Sequence, residues 1–351
     1  MPAWRQGMTV GEWRQVSGTA LSSAPMAVKT YPSLGNTGPS SKVDTWSGYA
    51  VDTRDSSVYS LANGGHQDYA GNEVNRLRLS DGAPAWTELR ESSPSSVIPT
   101  AASGQNVTHY NDGRPASRHV YYGVTLNEVS NKAMLFTGSG WGNQGGALHS
   151  ADSFNLSSNS WDAKGTVPEP GADFYNQLGW TWCEVKATGD VYGIGNFKVR
   201  RWRQATNSWT TMLTSSANGQ YTASAHDSSR NRILFVGGEV GDHHVYDIGS
   251  NTMTAITLTG PNASNVINGK QLGMVYVPAL DAYLLRDSGG GGTIYRINAS
   301  TWAVDTLTTS SGSSIPATEN GVWRRFLYVP GLKGVVYFPT YEGNLWFLRT
   351  H

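Results

Sequence analysis

A strand-turn-strand unit recurs along this chain with drifting sequence, each copy ending in an aromatic or apolar strand, a polar turn and a strand that carries Trp or Met. Units of this size cannot bury their own apolar faces and must stack on neighbours, so the period constrains architecture before any residue constrains a reaction. Aligned on their last two strands, the copies run from Val74-Asn75-Arg76-Leu77 to Trp86, Ser153-Phe154-Asn155-Leu156 to Trp161, Arg201-Trp202-Arg203 to Trp209, Val245-Tyr246-Asp247-Ile248 to Met253, and Ile294-Tyr295-Arg296-Ile297 to Trp302.

Reading outward from these pairs exposes a four-strand unit each time. Upstream of Tyr246 lie the residues from Thr222 to His226, the turn Asp227-Ser228-Ser229-Arg230-Asn231, the apolar strand Ile233-Leu234-Phe235-Val236 and the pair Gly237-Gly238. The first copy has the same order and closes on Gly64-Gly65. This predicts an all-β fold, a six-bladed β-propeller occupying residues 1–351 as one domain, with blades beginning near Trp46, Arg118, Leu178, Tyr221, Gln271 and Asn320. The sixth copy stops at His351 without a fourth strand, whereas Gly11-Glu12-Trp13-Arg14-Gln15-Val16 has the pattern of a fourth strand and no partners of its own. The opening segment, residues 11–18, is therefore expected to close the ring against the last blade and keep strand edges short. The alternative is a seventh blade within residues 90–117, a stretch rich in Ser, Pro and Asn that reads instead as an inserted loop.

The double glycine, the aromatic in the third strand and the Trp in the fourth resemble the kelch repeat of the galactose-oxidase-like superfamily over roughly residues 46–350. The resemblance implies a fold and not a function, because that scaffold hosts binders, enzymes and structural proteins. Galactose-oxidase-like enzymes need copper and a crosslinked Tyr-Cys pair, which the lone Cys183, set in a predicted strand, argues against. The Ser-x-Asp-x-Gly-x-Thr-Trp turn of sialidases has no copy; Asn298-Ala299-Ser300-Thr301-Trp302 matches only its end.

Composition narrows the partners. The 351 residues include 41 Gly and 13 Trp with only 15% charged residues, which suits tight turns and aromatic-filled sheets, and long 3.6-period stripes are absent. A formal net charge of zero with scattered basic residues removes the attraction a nucleic-acid or anionic-membrane binder uses, so neither partner is expected. No apolar stretch suits a membrane span, and Met1 leads into Pro2-Ala3-Trp4-Arg5 rather than a charged start and an apolar run, so no export signal is expected. Cys183 reads as a buried thiol beside Trp180, Trp182 and Val185.

In a propeller, the loops joining second to third strands and those leading into each first strand emerge on one face. That face receives His66-Gln67-Asp68-Tyr69, Trp141-Gly142-Asn143-Gln144, His149, Phe197-Lys198, Asp242-His243-His244 and the Gly289–Gly292 run, with Arg118-His119, Tyr221 and Asn320 at strand starts. Aromatic plates beside imidazoles and amides suit sugars, whose C–H faces stack and whose hydroxyls need directional partners. Asp68, Tyr69, Asn72, Trp141, His149, His243, His244 and Asn320 are the candidate ligand-binding residues, though Trp and Tyr also fill the space between blades. His66, Arg118, His119 and Tyr121 form a candidate catalytic set, because proton abstraction beside a uronate needs a base, an acid and a cation. They resemble the residue types used by propeller polysaccharide lyases, which implies β-elimination; the competing reading is that His66, Asp68 and Asn72 satisfy one another. His243-His244 has no spaced partner for a metal, the glycine run lacks the Lys-Ser/Thr ending of a phosphate loop, and no cofactor is expected. Richness in Gly, Ser, Thr, Asn and aromatics with little Lys is similar to bacteriophage tail and virion-surface proteins, which leave the cell by lysis. The expectation is a non-enzymatic module, on a virion or extracellular after lysis and otherwise cytoplasmic, that binds a glycan, another surface ligand or other virion proteins.

Overall fold

The computed structural model describes residues 1–25, 35–100, 107–142, 147–171, 178–214, 219–238 and 243–351. Short strands alternate with turns whose last residue adopts a left-handed backbone. Asn131, Asn159, Asn207, Asn231 and Asn251 all have positive φ immediately before a strand, where a short amide side chain tolerates the conformation. The polar turns of the repeat are thus the hairpins that return the chain across each blade.

Six four-stranded antiparallel sheets result, forming a six-bladed β-propeller. Blade 1 contains Ala50–Asp52, Ser57–Leu61, Val74–Arg78 and Trp86–Arg90; blade 2 contains Val124–Asn127, Lys132–Phe136, Ala151–Asn155 and Ser160–Trp161. Blade 3 contains Thr181–Val185, Asp190–Gly195, Lys198–Arg203 and Ser208–Thr214; blade 4 contains Ala223–Asp227, Arg232–Val236, His244–Asp247 and Thr252–Ala255. Blade 5 contains Gly273–Val277, Ala282–Arg286, Tyr295–Asn298 and Val304–Thr306, and blade 6 contains Phe326–Val329, Gly334–Tyr337 and Trp346–Arg349. Each first strand touches the first strands of the two neighbouring blades, and the ring closes between blades 6 and 1.

The fourth strand of blade 6 is Trp13–Gln15, paired through Trp13↔Leu348, Arg14↔Phe347 and Gln15↔Trp346, as the unpartnered opening segment required. Trp13 is buried, donates from Nε1 to the Gly292 carbonyl at 3.0 Å, and sits against Gly292 and Gly312, where a Cβ would come within 2.9 and 2.6 Å of its ring. One side chain therefore ties blade 6 to blade 5.

Four of the aligned pairs fall in register: Leu77↔Trp86, Phe154↔Trp161, Trp202↔Trp209 and Tyr246↔Met253. The fifth does not. Ile297 faces Val304, while Trp302 lies in the turn at φ 63° and takes the Arg232 guanidinium over its ring at 4.6 Å. Trp302 thus serves the joint between blades 4 and 5. Blade 2 proper starts at Val124; Arg118–His119 instead pairs with Ser139–Gly140 in a small two-stranded sheet on the loop face. The described part of 90–117 holds a 3-10 turn at Ser95–Val97 and an isolated bridge between His109 and Pro115, and no strand pair. Among the described residues, helix is confined to Ser41–Asp44, Ala263–Ile267 and short 3-10 turns. Among the described residues, no helix is long and apolar enough to cross a membrane.

Candidate functional site

The loop after the second strand of blade 1 is pressed onto the Arg118–His119 strand. Gly64 and Gly65 both have positive φ, and a Cβ on Gly65 would lie 2.1 Å from the His119 amide nitrogen, so only glycine permits this approach. Gly64 donates its amide to the Arg118 carbonyl at 3.2 Å, and Asp68 closes a turn back to the Gly65 carbonyl at 2.8 Å. The loop is pinned from outside by residues 35–44: the amides of Asn36 and Gly38 reach the Gln67 and Asp68 carbonyls, and Lys42 makes a buried ion pair with Glu73 at 2.8 Å.

These contacts bring together four of the residues singled out from the sequence. His119 Nε2 lies 2.9 Å from Asp68 Oδ2, and Thr37 donates to the other oxygen of the same carboxylate at 2.6 Å. The His66 ring stands edge-on to His119 with centroids 6.0 Å apart, its Nδ1 3.2 Å from the Gly142 carbonyl. Tyr121 meets His119 from the other side at 6.3 Å. Burial lowers the pKa of His119 while Asp68 opposes it; burial would raise Asp68, yet hydrogen bonds from His119 and Thr37 hold it below the ordinary carboxylate value. Burial pushes the phenol of Tyr121, itself 5% exposed, up, so its hydroxyl keeps its proton, and that hydroxyl makes no hydrogen bond to a described residue.

The cluster continues across the axis. Trp46 packs on His119 at 4.9 Å, Tyr121 on Trp323 at 5.1 Å, and Tyr221 on Trp323 at 5.5 Å. Tyr121, Tyr221, Gln271 and Trp323 have φ of 50°, 58°, 58° and 51°, each just ahead of the first strand of its blade, and Gly179 takes the same place in blade 3. Their amides link neighbouring blades: Tyr121 to the Trp46 carbonyl, Tyr221 to Gly179 and Trp323 to Gln271, at 2.9, 3.0 and 3.2 Å. Beneath this ring the axis is crossed by the Tyr122 hydroxyl, bonded to the Leu272 carbonyl of blade 5 at 2.7 Å.

The remaining candidates lie elsewhere. Arg118 is fully buried and commits its donors to Ala116, Thr137, Ser150, Thr108 and Asp152, the last at 3.0 Å, while His109 takes the second oxygen of Asp152 at 2.8 Å. This trio fastens the inserted loop to blade 2. Asn72 bonds Ser92, Ser93 and Pro115 within the loop interior, and Tyr69 is buried with its hydroxyl on Glu73. Trp141, expected as a stacking plate, is only 1% exposed, packs with Ala70, Ile98, Tyr110 and Ala116, and bonds the Pro99 carbonyl. His149 is partly buried with its pKa lowered by burial against Glu169; His243 accepts from the Gly237 amide at 3.3 Å; His244 stacks on Phe235. Asn320 bridges to the Asp44 carbonyl at 2.8 Å. Asn143, Gln144 and Asp242 lie outside the described residues. No group of three or more His, Cys, Asp or Glu that could hold a metal occurs among the described residues. Cys183 is buried and its thiol pKa is pushed up by burial, as its apolar neighbours suggested.

Sequence reading missed Thr37 and Trp323. Trp323 could have been found by superposing the residues that precede each first strand, since it occupies the place of Tyr121 and Tyr221. Thr37 follows from no local pattern, because the segment carrying it lies 31 positions from Asp68 in the chain. The fold and site define a six-bladed β-propeller with an aromatic and imidazole cluster on its loop face. Comparison with known proteins finds no matching family model and no matching curated sequence.

Proposed function

We propose that the chain is a binding module that recognises a carbohydrate through the cluster of His66, Asp68, His119 and Tyr121 together with Trp46 and Tyr221. The observation that supports this reading is the cluster itself: partly exposed Trp46, His66 and Tyr221 flank an oriented imidazole and a free phenol at the axis. Aromatic faces stack on sugar C–H groups, and His66, Asp68 and the Tyr121 hydroxyl supply directional hydrogen bonds. The composition shared with bacteriophage tail and virion-surface proteins supports display on such a particle, where glycan or virion-protein contacts would serve attachment; recovery of the chain in purified particles from its source checks that part separately. On a glycan array, Trp46→Ala is expected to weaken binding about tenfold, in keeping with the loss of one stacking plate, whereas Trp141→Phe leaves it unchanged. Equal loss in both variants removes the assignment.

A second reading, β-elimination of uronate glycans, is favoured by one feature, the Asp68-oriented His119 beside His66 and a protonated Tyr121. It needs a cation or amide at the carboxylate, and Arg118 is engaged with acceptors away from the cluster. The binding reading is therefore preferred. An ultraviolet absorbance rise on uronate polysaccharides, abolished by His119→Ala or His66→Ala with folding intact, reverses that preference.

A further inference from the structure

We propose that the axial cavity opening on the opposite, hairpin face is a second binding site, for a small uncharged ligand with a flat apolar body and one hydrogen-bonding end. The cavity measures 570 Å³, within the size range of small-molecule sites, and its floor is the underside of Tyr122 and Trp323. It is separate from the loop-face cluster, and its mouth is ringed by hairpin residues such as Thr53, Thr188, Ser228 and Pro330.

The lining argues against a charged occupant. Arg324 reaches across the axis to Glu184 at 2.8 Å, Lys186 lies 3.6 Å from Glu184 and 3.2 Å from Glu128, and Lys186 also donates to the Val51 and Leu126 carbonyls. Although burial raises it, Arg324 and Lys186 bring the Glu184 carboxyl down to about 2, so two cations and two carboxylates form a closed neutral set. A charged ligand would have to break the largely buried Arg324–Glu184 pair or the more exposed Lys186 contacts, at the cost of leaving a partner uncompensated. Much of the remaining wall is apolar, with Val275, Met274 and Leu327 among its members, interrupted by uncharged polar residues such as Ser224 and Asn231. Besides the buried Arg324 Nε, which bonds no described residue, two polar groups on it have spare capacity. The His226 imidazole makes one long contact, 3.4 Å to Asn231, and the Tyr328 hydroxyl bonds no described residue. One hydrogen-bonding end is what these groups can serve.

The uncharged naphthalene ketone 6-propionyl-2-dimethylaminonaphthalene tests the site by its emission, which moves to the blue in apolar surroundings. Saturable binding at one per chain is expected. Val275→Trp fills the cavity and should weaken binding more than tenfold, Tyr328→Phe should weaken it severalfold, and His66→Ala on the other face should change nothing. Tyr328→Phe removes a single partly exposed oxygen and keeps the test open if Val275→Trp fails to fold. Absence of saturable binding, or binding indifferent to Tyr328→Phe and to Val275→Trp where that variant folds, overturns the site. Equal affinity for the anionic 8-anilinonaphthalene-1-sulfonate with the same variant pattern overturns the uncharged class. Because neither outcome involves a sugar, the result stands apart from the fate of the glycan reading.

Discussion

Replacing Trp13 with Ala tests whether the ring is held shut by its termini. The indole is 1% exposed, and a buried aromatic of this size removes about 150–250 Å² from water, worth about 4–6 kcal/mol at about 25 cal/mol per Å². Measured Trp-to-Ala losses in cores run to about 3–5 kcal/mol, so about 4 kcal/mol is expected. The slot cannot refill easily, since Gly292 and Gly312 on its walls have no side chains to move inward. An unfolding entropy of about 2.1 cal/mol/K per residue gives about 0.7 kcal/mol/K for this chain, and hence a Tm lower by about 5–6 °C. A coupled test uses Gly312→Ala, whose Cβ would sit 2.6 Å from the Trp13 ring. It should destabilise the native protein, and only the part of that cost owed to the indole should vanish once Trp13 is Ala, because the Cβ also lies 2.7 Å from the Gly292 Cα; that part appears as the interaction term of a double-mutant cycle. Calorimetry of the four proteins decides. A shift below about 1 °C for Trp13→Ala, or the same cost of Gly312→Ala in both backgrounds, refutes the closure argument.

Three further outcomes follow from the structure. Because burial lowers the His119 pKa, the unfolded chain takes up that proton first as pH falls; the stabilisation is full above the unfolded value of about 6.5 and is lost as pH drops toward the folded one. His119→Gln should therefore flatten the fall in Tm between pH 7.5 and 5.5, only in part because His149, His226 and His351 are lowered too; an unchanged slope contradicts it, and the Asp68 contribution, lost below its unfolded value of about 3.9, lies outside this window. Lys42→Met strands the Glu73 carboxylate in a fully buried position and should cost about 3–5 kcal/mol by denaturant unfolding, much of it recovered in Lys42→Met/Glu73→Gln. If residues 1–351 form one domain, heating gives a single cooperative transition monitored alike by Trp emission and far-ultraviolet dichroism, and two separated transitions would divide it.

The architecture was legible because it is written in repeated local chemistry. Hairpin Asn residues, the apolar second strands and the Trp or Met of the fourth strand recur at positions where each blade needs them, and the unpaired Trp13 segment announced its own partner. The slip at Trp302 shows the limit of that method: an aromatic at nearly the right spacing was recruited to stack under Arg232 instead of entering the strand. The site was legible only where two loops are neighbours by topology. His66 and His119 converge because the second-strand loop of blade 1 abuts the entry to blade 2. Trp141 and Arg118 share that face in the chain order, yet a bulky indole and a guanidinium with ready carbonyls around them gain more from burial than from display. Sequence order carries no sign of that competition, and none of the segment of residues 35–44 folding back to hold Asp68.

Left-handed backbone is distributed over the molecule in a way that bears on where function sits. On the hairpin face it falls largely to Asn, Asp, Ser and Lys, at Asn131, Asn231, Asp281, Ser56 and Lys333, and for the amides and carboxylate among them the cost is small. On the loop face Asn196 and Asn320 share it with Ala62, Gln67, Tyr121, Tyr221, Gln271, Trp323 and the branched Thr137, and for the aromatic and branched residues the conformation is costly. Phe197 is the clearest case: with Asn196 it forms a tight turn at φ 59°, and it leaves its ring 47% exposed. Neither its backbone nor its exposure stabilises the folded chain. Trp302 is the counterexample on the other face, and there a cation–π contact offsets the strain. For Tyr121, Tyr221 and Trp323 the return is the interblade hydrogen-bond ring and a set of aromatic faces fixed around the axis. Glycine would make that ring at lower strain, as Gly179 does. What glycine cannot supply is the aromatic surface, and this is the argument for placing recognition on the loop face.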